Sequence, residues 1–171
     1  VLIPVKPNLH PLLKERAREL SARLPGANPS HRFEIVLDER GPGDGGVADL
    51  EARVRHSAPI RQEMIDAHLK PDHDAVLWVD ADLVAYPADL PTHLLRRNPG
   101  GVSAPVVLLD HHADRFYDVA GFVESGRWAR LNPPWFDQPG PVFELDGVGC
   151  LYLVPARVYH SGGRHVSVPG Y

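Results

Sequence analysis

Three things are scarce in this 171-residue chain: cysteine, net basic charge and long apolar runs. Its one cysteine, Cys150, excludes an internal disulfide framework and any multi-cysteine zinc site. Lys and Arg number 18 against 22 Asp and Glu, a formal net charge of −4, so no global basic field attracts nucleic acid. No apolar run approaches the roughly 20 residues of a membrane span, and no signal-peptide core opens the chain. A soluble, cytoplasmic chain is the expectation. Hydrophobic residues at 43% and charged ones at 23% exclude a wholly disordered chain, a collagen repeat and a coiled coil. What is plentiful is proline, at 18, with 15 glycines, so short elements and many loops are expected. Val1–Val5 already reads as a buried strand and Ser167–Tyr171 reads as mid-chain, so trimming at both ends is expected of this one domain.

Strand and helix patterns alternate in the first half. Val1–Val5 is followed by Leu9, Leu12, Leu13, Ala17, Leu20 and Leu24 at helical spacing, ending at Pro25-Gly26. Phe33–Leu37 reads as a second strand ending at Asp38-Glu39, and Gly41–Gly46 as a connector without the lysine of a phosphate-binding loop. A helical stretch from Val47 to about Arg55 precedes a second helix, with Ser57 as N-cap, Pro59 in its first turn and Ile60, Met64, Ile65 and Leu69 on one face. Ala75–Val79 is an unbroken apolar run suited to a central strand. Pro87–Arg97 reads as a helix, Val102–Leu109 and Val148–Val154 as strands, and Pro155–Tyr159 as a helical start. The fold class is α/β with a mainly parallel sheet.

Five aspartates and no Lys or Arg lie between Pro71 and Asp89. Asp80 and Asp82 leave the core where the central strand ends, and on an extended chain they would share one side, about 7 Å apart. Ala81 between them is small enough for close approach of a ligand. Hard oxygens at this spacing suit Mn²⁺ or Mg²⁺ with positions left for diphosphate oxygens, at the sheet edge where α/β proteins bind ligands. Two solvated aspartates at a strand end are the plain alternative. Haloacid-dehalogenase-type phosphotransferases place D-x-D after their first strand and need a later lysine. Here two strands come first, Leu83 fills the Thr/Val position and no lysine follows Lys70. The order strand, helix, acidic strand end at Asp38, Arg61-bearing helix and Asp80-Ala81-Asp82 fits a nucleotide-sugar glycosyltransferase of the GT-A type.

Three blocks extend the likeness. Ile60–Ile65 leading into Val76–Leu83, then Phe116–Ser125, then Asp146–Cys150 with Val154–Tyr159 and Gly162–His165 resemble, in order, the fungal mannan-polymerase glycosyltransferase family. Cys150 stands where that family has glycine, and the family's later metal-ligating histidine segment has no counterpart here. The resemblance implies a GT-A (Rossmann-like) domain moving a sugar from a nucleotide-diphosphate donor, GDP-mannose-like or a UDP-sugar, to a hydroxyl acceptor. It implies that Asp82 ligates the cation, that Asp80 ligates it or holds the ribose, that Pro4, Val5, Asp38 and Glu39 line the base and ribose pocket, and that Arg61 reaches the diphosphate. Glu144 and Asp146 become the acceptor-side carboxylates, acting as base or as sugar-orienting groups, while Gly147 and Gly149 permit close backbone approach.

His111 and His112 read as a polar loop. His160 or His165 completes a metal site if the chain folds back, with His165 the third-ligand candidate. Trp78 reads as core, and Trp128 and Trp135 as acceptor-stacking or merely exposed aromatics. A glycan is the expected acceptor. A hydroxymethylated DNA base is the alternative, with Arg96-Arg97 and Arg127/Arg130 as a local patch, and a non-catalytic nucleotide-sugar-binding domain is another.

Overall fold

The computed structural model describes residues 1–5, 9–39, 50–109, 112–116, 123–124, 127–128 and 148–166. The expectations for Trp135, Glu144, Asp146 and Gly147, for the histidine pair's His111 and for the Gly41–Gly46 connector lie outside these residues. The central sheet is four-stranded, in the order β2 (Val36–Asp38), β1 (Leu2–Pro4), β3 (Ala75–Val79), β8 (Leu151–Pro155). β1 runs parallel to β2 and β3, and β8 is antiparallel to β3. The class is therefore α/β with a mostly parallel sheet.

Side-chain alternation along the strands sorts the core into two faces. Ile3, Leu77, Val79, Leu151 and Leu153 pack with Ala17 and Leu20 of α1 (Pro11–Ala22), Leu24, and Leu90 and Leu94 of α4 (Leu90–Arg97). Leu2, Val76, Trp78, Tyr152 and Val154 pack on the other face with Met64 and Ile65 of α3 (Leu50–His68) and with Val158 and Tyr159 of α5 (Ala156–His160). Apolar side chains on both faces need helices on both, which is why β3 reads as a continuous apolar run. Each large side chain buried this way contributes about 1.5–3 kcal/mol.

Several boundaries differ from the sequence expectation. The two helices expected around Ser57 are one 19-residue helix with Pro59 inside it. Proline removes one internal hydrogen bond, and burial of Met64 and Ile65 against the sheet offsets that loss. Pro25-Gly26 does not end the first helical region either, because both lie in the single turn α2 (Leu24–Ala27), whose first positions tolerate proline. The strand expected over 102–109 reduces to a bridge, Ser103 to Leu153, and the short β4 (Leu108–Leu109) paired with β5 (His112–Phe116). β6 (Val123–Glu124) and β7 (Arg127–Trp128) form a small antiparallel pair, with Trp128 opposite Val123.

The chain folds back after α5. Gly162 has φ +95° and the Gly163 amide bonds the Val158 carbonyl at 2.8 Å. A Cβ on Gly163 would sit 2.6 Å from that carbonyl oxygen, so the backbone would have to move. Gly163→Ala is expected to cost about 2 kcal/mol, read as a lowered urea midpoint with unchanged slope.

Candidate functional site

Strand order 2-1-3 means the chain steps to one side of β1 and then crosses back to the other. The carboxyl ends of β1 and β3 therefore flank a topological switch point, the crevice where open α/β sheets bind ligands. Leu2 pairs with Trp78, and carrying that register two residues onward sets Pro4 beside Asp80. Pro4, Val5, Asp38, Glu39, Asp80, Ala81, Asp82 and Gly149 all fall at this one edge of the sheet. Residues far apart in the chain are brought together by topology alone.

The D-x-D itself is a turn and not an extended strand. The Leu83 amide bonds the Asp80 carbonyl at 3.2 Å, closing residues 80–83. The two carboxylates consequently do not share a strand face. Asp80 keeps the parity of Trp78 and faces α3, where Arg61 Nη2 donates to its Oδ1 at 3.0 Å. Ala81 is buried in the α1–α4 core, so its small size serves packing there. Asp82 is exposed and, among the described residues, makes no hydrogen bond or ion pair. The loop that follows is tied down by Arg16 Nε of α1, which donates to the Val84 carbonyl at 3.0 Å.

β8 supports the same turn from the other side. The Asp80 amide bonds the Cys150 carbonyl at 2.9 Å, and the Leu151 amide turns back to the Gly149 carbonyl at 2.7 Å. Cys150, between them, has φ +55°, a left-handed conformation costing about 1–2 kcal/mol for a residue with a Cβ. A glycine at this position would carry no such cost.

Other site candidates already have partners. Asp38 Oδ2 lies 3.0 Å from His68 Nε2, with the Asp38 carboxylate nearly enclosed, and the Asp38 carbonyl accepts from the Val5 amide at 2.8 Å. Glu39 is paired with Lys14 Nζ at 3.0 Å. Arg61 is bonded to Asp80, and its Cζ lies 5.8 Å from the Trp78 ring centre and 5.4 Å from that of Tyr152.

His165 does return toward the sheet, but to a different neighbourhood from the one expected of a ligand. The Trp78 indole N–H donates to Tyr159 Oη at 2.9 Å, and Tyr159 Oη lies 3.0 Å from His165 Nε2. Indole can only donate, so Tyr159 Oη accepts from Trp78, and the direction of its contact with His165 Nε2 follows the imidazole tautomer. The His165 ring meets Trp78 edge-on at 5.2 Å, and its amide bonds Gln62 Oε1 at 3.0 Å. No group of three His, Cys, Asp or Glu able to hold a metal occurs among the described residues, so Asp80, Asp82 and His165 are not one cluster. Tyr152, Tyr159 and Gln62 are the members of this network that sequence reasoning missed. Arg61, Met64, Ile65 and His68 recur at helical spacing, a signal that Arg61 and His68 belong to the buried stripe.

Burial, helped by the Arg61 guanidinium, lowers the His165 pKa from 6.5 to about 4. Burial likewise raises the Tyr159 hydroxyl to about 12. The unfolded chain therefore binds a proton at His165 that the folded chain refuses between those two His165 values. Stability from this residue is complete above pH 6.5 and is lost as pH falls toward 4. With the ring only partly shielded from water, the loss is on the order of 2 kcal/mol. Melting temperatures taken from about pH 7 down to about pH 4.5 should fall more steeply for wild type than for His165→Gln, and parallel curves would contradict it.

A cavity of about 720 Å³ opens at the opposite, amino edge of the sheet, lined by Arg32, Phe33, Glu34, Lys70, His73 and Leu95 among others. Its polar side chains are already paired: Lys70 and His73 with Glu34 at 2.6 and 3.3 Å, Arg32 with Asp72 at 2.6 Å. Size alone does not make it the site. The switch point lies at the other edge, where Asp82 stands exposed and without a hydrogen-bond or ion-pair partner among the described residues.

No family model matches the chain, and no curated protein matches it. Among solved structures, it is similar to the crystal structure of a glycosyltransferase involved in the glycosylation of the major capsid of PBCV-1, with a TM-score of 0.41 and 13% identity. That overlap covers 94% of this chain and 60% of the other, so the chain spans about three-fifths of that structure's length. No helix among the described residues is long and apolar enough to cross a membrane.

Proposed function

We propose that this chain forms the donor-binding part of a GT-A-type glycosyltransferase, taking a nucleotide-diphosphate sugar and transferring its sugar to a hydroxyl acceptor. The observation that carries the reading is the Asp80-Ala81-Asp82 turn at the switch point of a 2-1-3 sheet, with Asp82 turned outward. The ordered sequence blocks that resemble the mannan-polymerase family support it and favour a mannosyl-type donor and a glycan acceptor.

Carboxylate oxygens are the ligand type that a hard divalent cation prefers. Asp82 would hold Mn²⁺ or Mg²⁺, which keep waters and substrate phosphate oxygens as their remaining ligands and so need few protein groups. When bound, such a cation supplies charge stabilisation for the leaving diphosphate. The chain's own residues do the rest: Pro4 and Val5 border the crevice, Asp80 is held toward α3, and Arg16 fixes the loop after the motif. Glu144 and Asp146 are proposed to orient the sugar or take the acceptor proton, with Gly147, Gly149, Trp128 and Trp135 on the acceptor side.

Mn²⁺-dependent release of nucleoside diphosphate from a nucleotide sugar tests the reading. Release supports it. Cation-dependent binding without release would make the chain a non-catalytic nucleotide-sugar-binding domain instead.

A further inference from the structure

Acidic residues are unevenly placed along the chain. No Asp or Glu occurs from Leu90 to Leu109 or from Gly147 to Tyr171, although the whole carries 22 of them and a net charge of −4. The fold lays these two segments side by side. The Ser103 amide bonds the Leu153 carbonyl of β8 at 2.9 Å, and the Leu153 amide bonds the Ser103 carbonyl at 2.8 Å. Arg157 Nη2 of α5 donates to the Gly100 carbonyl at 2.5 Å. Arg96 and Arg97 end α4 at exposed positions, with no hydrogen-bond or ion-pair partner among the described residues. Arg164, by contrast, is paired with Asp66 at 3.1 Å. Cations at a helix carboxyl end are ordinary. The apolar pattern beside them is not. Val102, Val106 and Leu108 are 45%, 42% and 41% exposed, while Val107 between them is buried. With Val166 they make four of the six exposed large apolar side chains among the described residues, so the exposure is concentrated on these two segments.

We propose that this flank of the sheet docks on an anionic phospholipid bilayer, with Arg96, Arg97 and Arg157 on headgroup phosphates and Val102, Val106 and Leu108 at the boundary between headgroups and acyl chains. A guanidinium fork matches phosphate oxygens. Aliphatic side chains gain from that boundary and gain nothing from a polyanion in water. A single-stranded nucleic acid fits less well, because no Phe, Tyr or Trp lies between Leu90 and Leu109 on which its bases could stack. The rest of the chain is net acidic and is repelled by the same lipid surface, which fixes the orientation of docking. Contact of this kind lies on a membrane and needs no spanning helix. It does not depend on the donor-site reading, since none of these six residues is among the candidates at the carboxyl-edge crevice.

Cosedimentation of the full chain with vesicles tests this, comparing phosphatidylcholine alone with phosphatidylcholine mixed with phosphatidylserine. Binding is expected only to the mixed vesicles and should fall as salt rises. Each cation close to an anionic membrane is worth about fivefold in affinity, so Arg96→Gln with Arg97→Gln should weaken binding by roughly 10- to 30-fold. Val102→Ser with Val106→Ser leaves the charge unchanged and should weaken it by about three- to tenfold. All four positions are exposed, so both double variants should melt close to wild type. Should a variant not fold, the wild-type comparison of the two vesicle types and its salt dependence decide. Equal binding to both vesicle types, binding to neither, or an aliphatic variant as tight as wild type would overturn the proposal. Retention on immobilised heparin without vesicle binding would also overturn it and mark a site for a free polyanion instead.

Discussion

Asp82→Asn should lower Mn²⁺-dependent release of nucleoside diphosphate by about 10²- to 10⁴-fold while leaving the melting temperature within a degree or two of wild type. The two halves of that expectation come from one fact: Asp82 is exposed and makes no hydrogen bond or ion pair among the described residues, so the fold does not depend on it. Surface substitutions of this kind change stability by less than about 0.5 kcal/mol. Asparagine keeps the shape and removes the charge, and a neutral amide oxygen is a poor substitute for carboxylate toward a hard cation. Asp80→Asn should behave differently. It removes the charge from the carboxylate paired with Arg61, leaving a neutral acceptor, and should lower stability by about 1–3 kcal/mol as well as activity. Equal stability losses in both variants would contradict the division between them.

Trp78→Ala should destabilise the chain by about 3–5 kcal/mol, a large share of the 5–15 kcal/mol typical of a domain. Trp78 has no exposed surface and stacks with Tyr152 at 6.3 Å, while its indole N–H is bonded to Tyr159. It is also one of the rings beside Arg61. The alanine variant therefore removes a core side chain, takes away the indole donor to Tyr159 and loosens the guanidinium that holds Asp80. Trp78→Phe keeps most of the apolar volume and loses the hydrogen bond, so about 1–2 kcal/mol is expected. Urea titrations compare the two, and similar midpoints would mean that packing at this position matters less than the hydrogen bond.

Much of this arrangement was legible in the sequence, for local reasons. β3 is a continuous apolar run because both its faces are covered, and the following acids mark where it leaves the core. β1, α1 and α5 follow from short-range patterns of the same kind. Long-range geometry was not legible. Nothing between Pro71 and Asp89 hints at a cation, because Arg61 reaches Asp80 from a preceding helix. His165 is a third-ligand candidate in the sequence because a chain folding back could bring it to the acidic turn, whereas its position is set by the Gly162-Gly163 reversal and the Tyr159 hydroxyl. Ser57 and Pro59 divide the α3 segment by local propensity, whereas burial that only the sheet supplies keeps it one helix. Asp38 illustrates the same limit: its place at a strand end was readable, and its partner His68, on the far end of α3, was not.

The central claim is that the Asp80–Asp82 turn binds a nucleotide sugar through a divalent cation. Thermal stability across a panel of nucleotide sugars, with and without Mn²⁺, tests it most directly. Ligand at about a hundredfold its dissociation constant adds about 2.7 kcal/mol, so one donor should raise the melting temperature by roughly 5–10 °C, only with Mn²⁺ present and not in Asp82→Asn. A panel in which no nucleotide sugar shifts the transition, or in which the shift survives both Mn²⁺ removal and Asp82→Asn, would contradict the account.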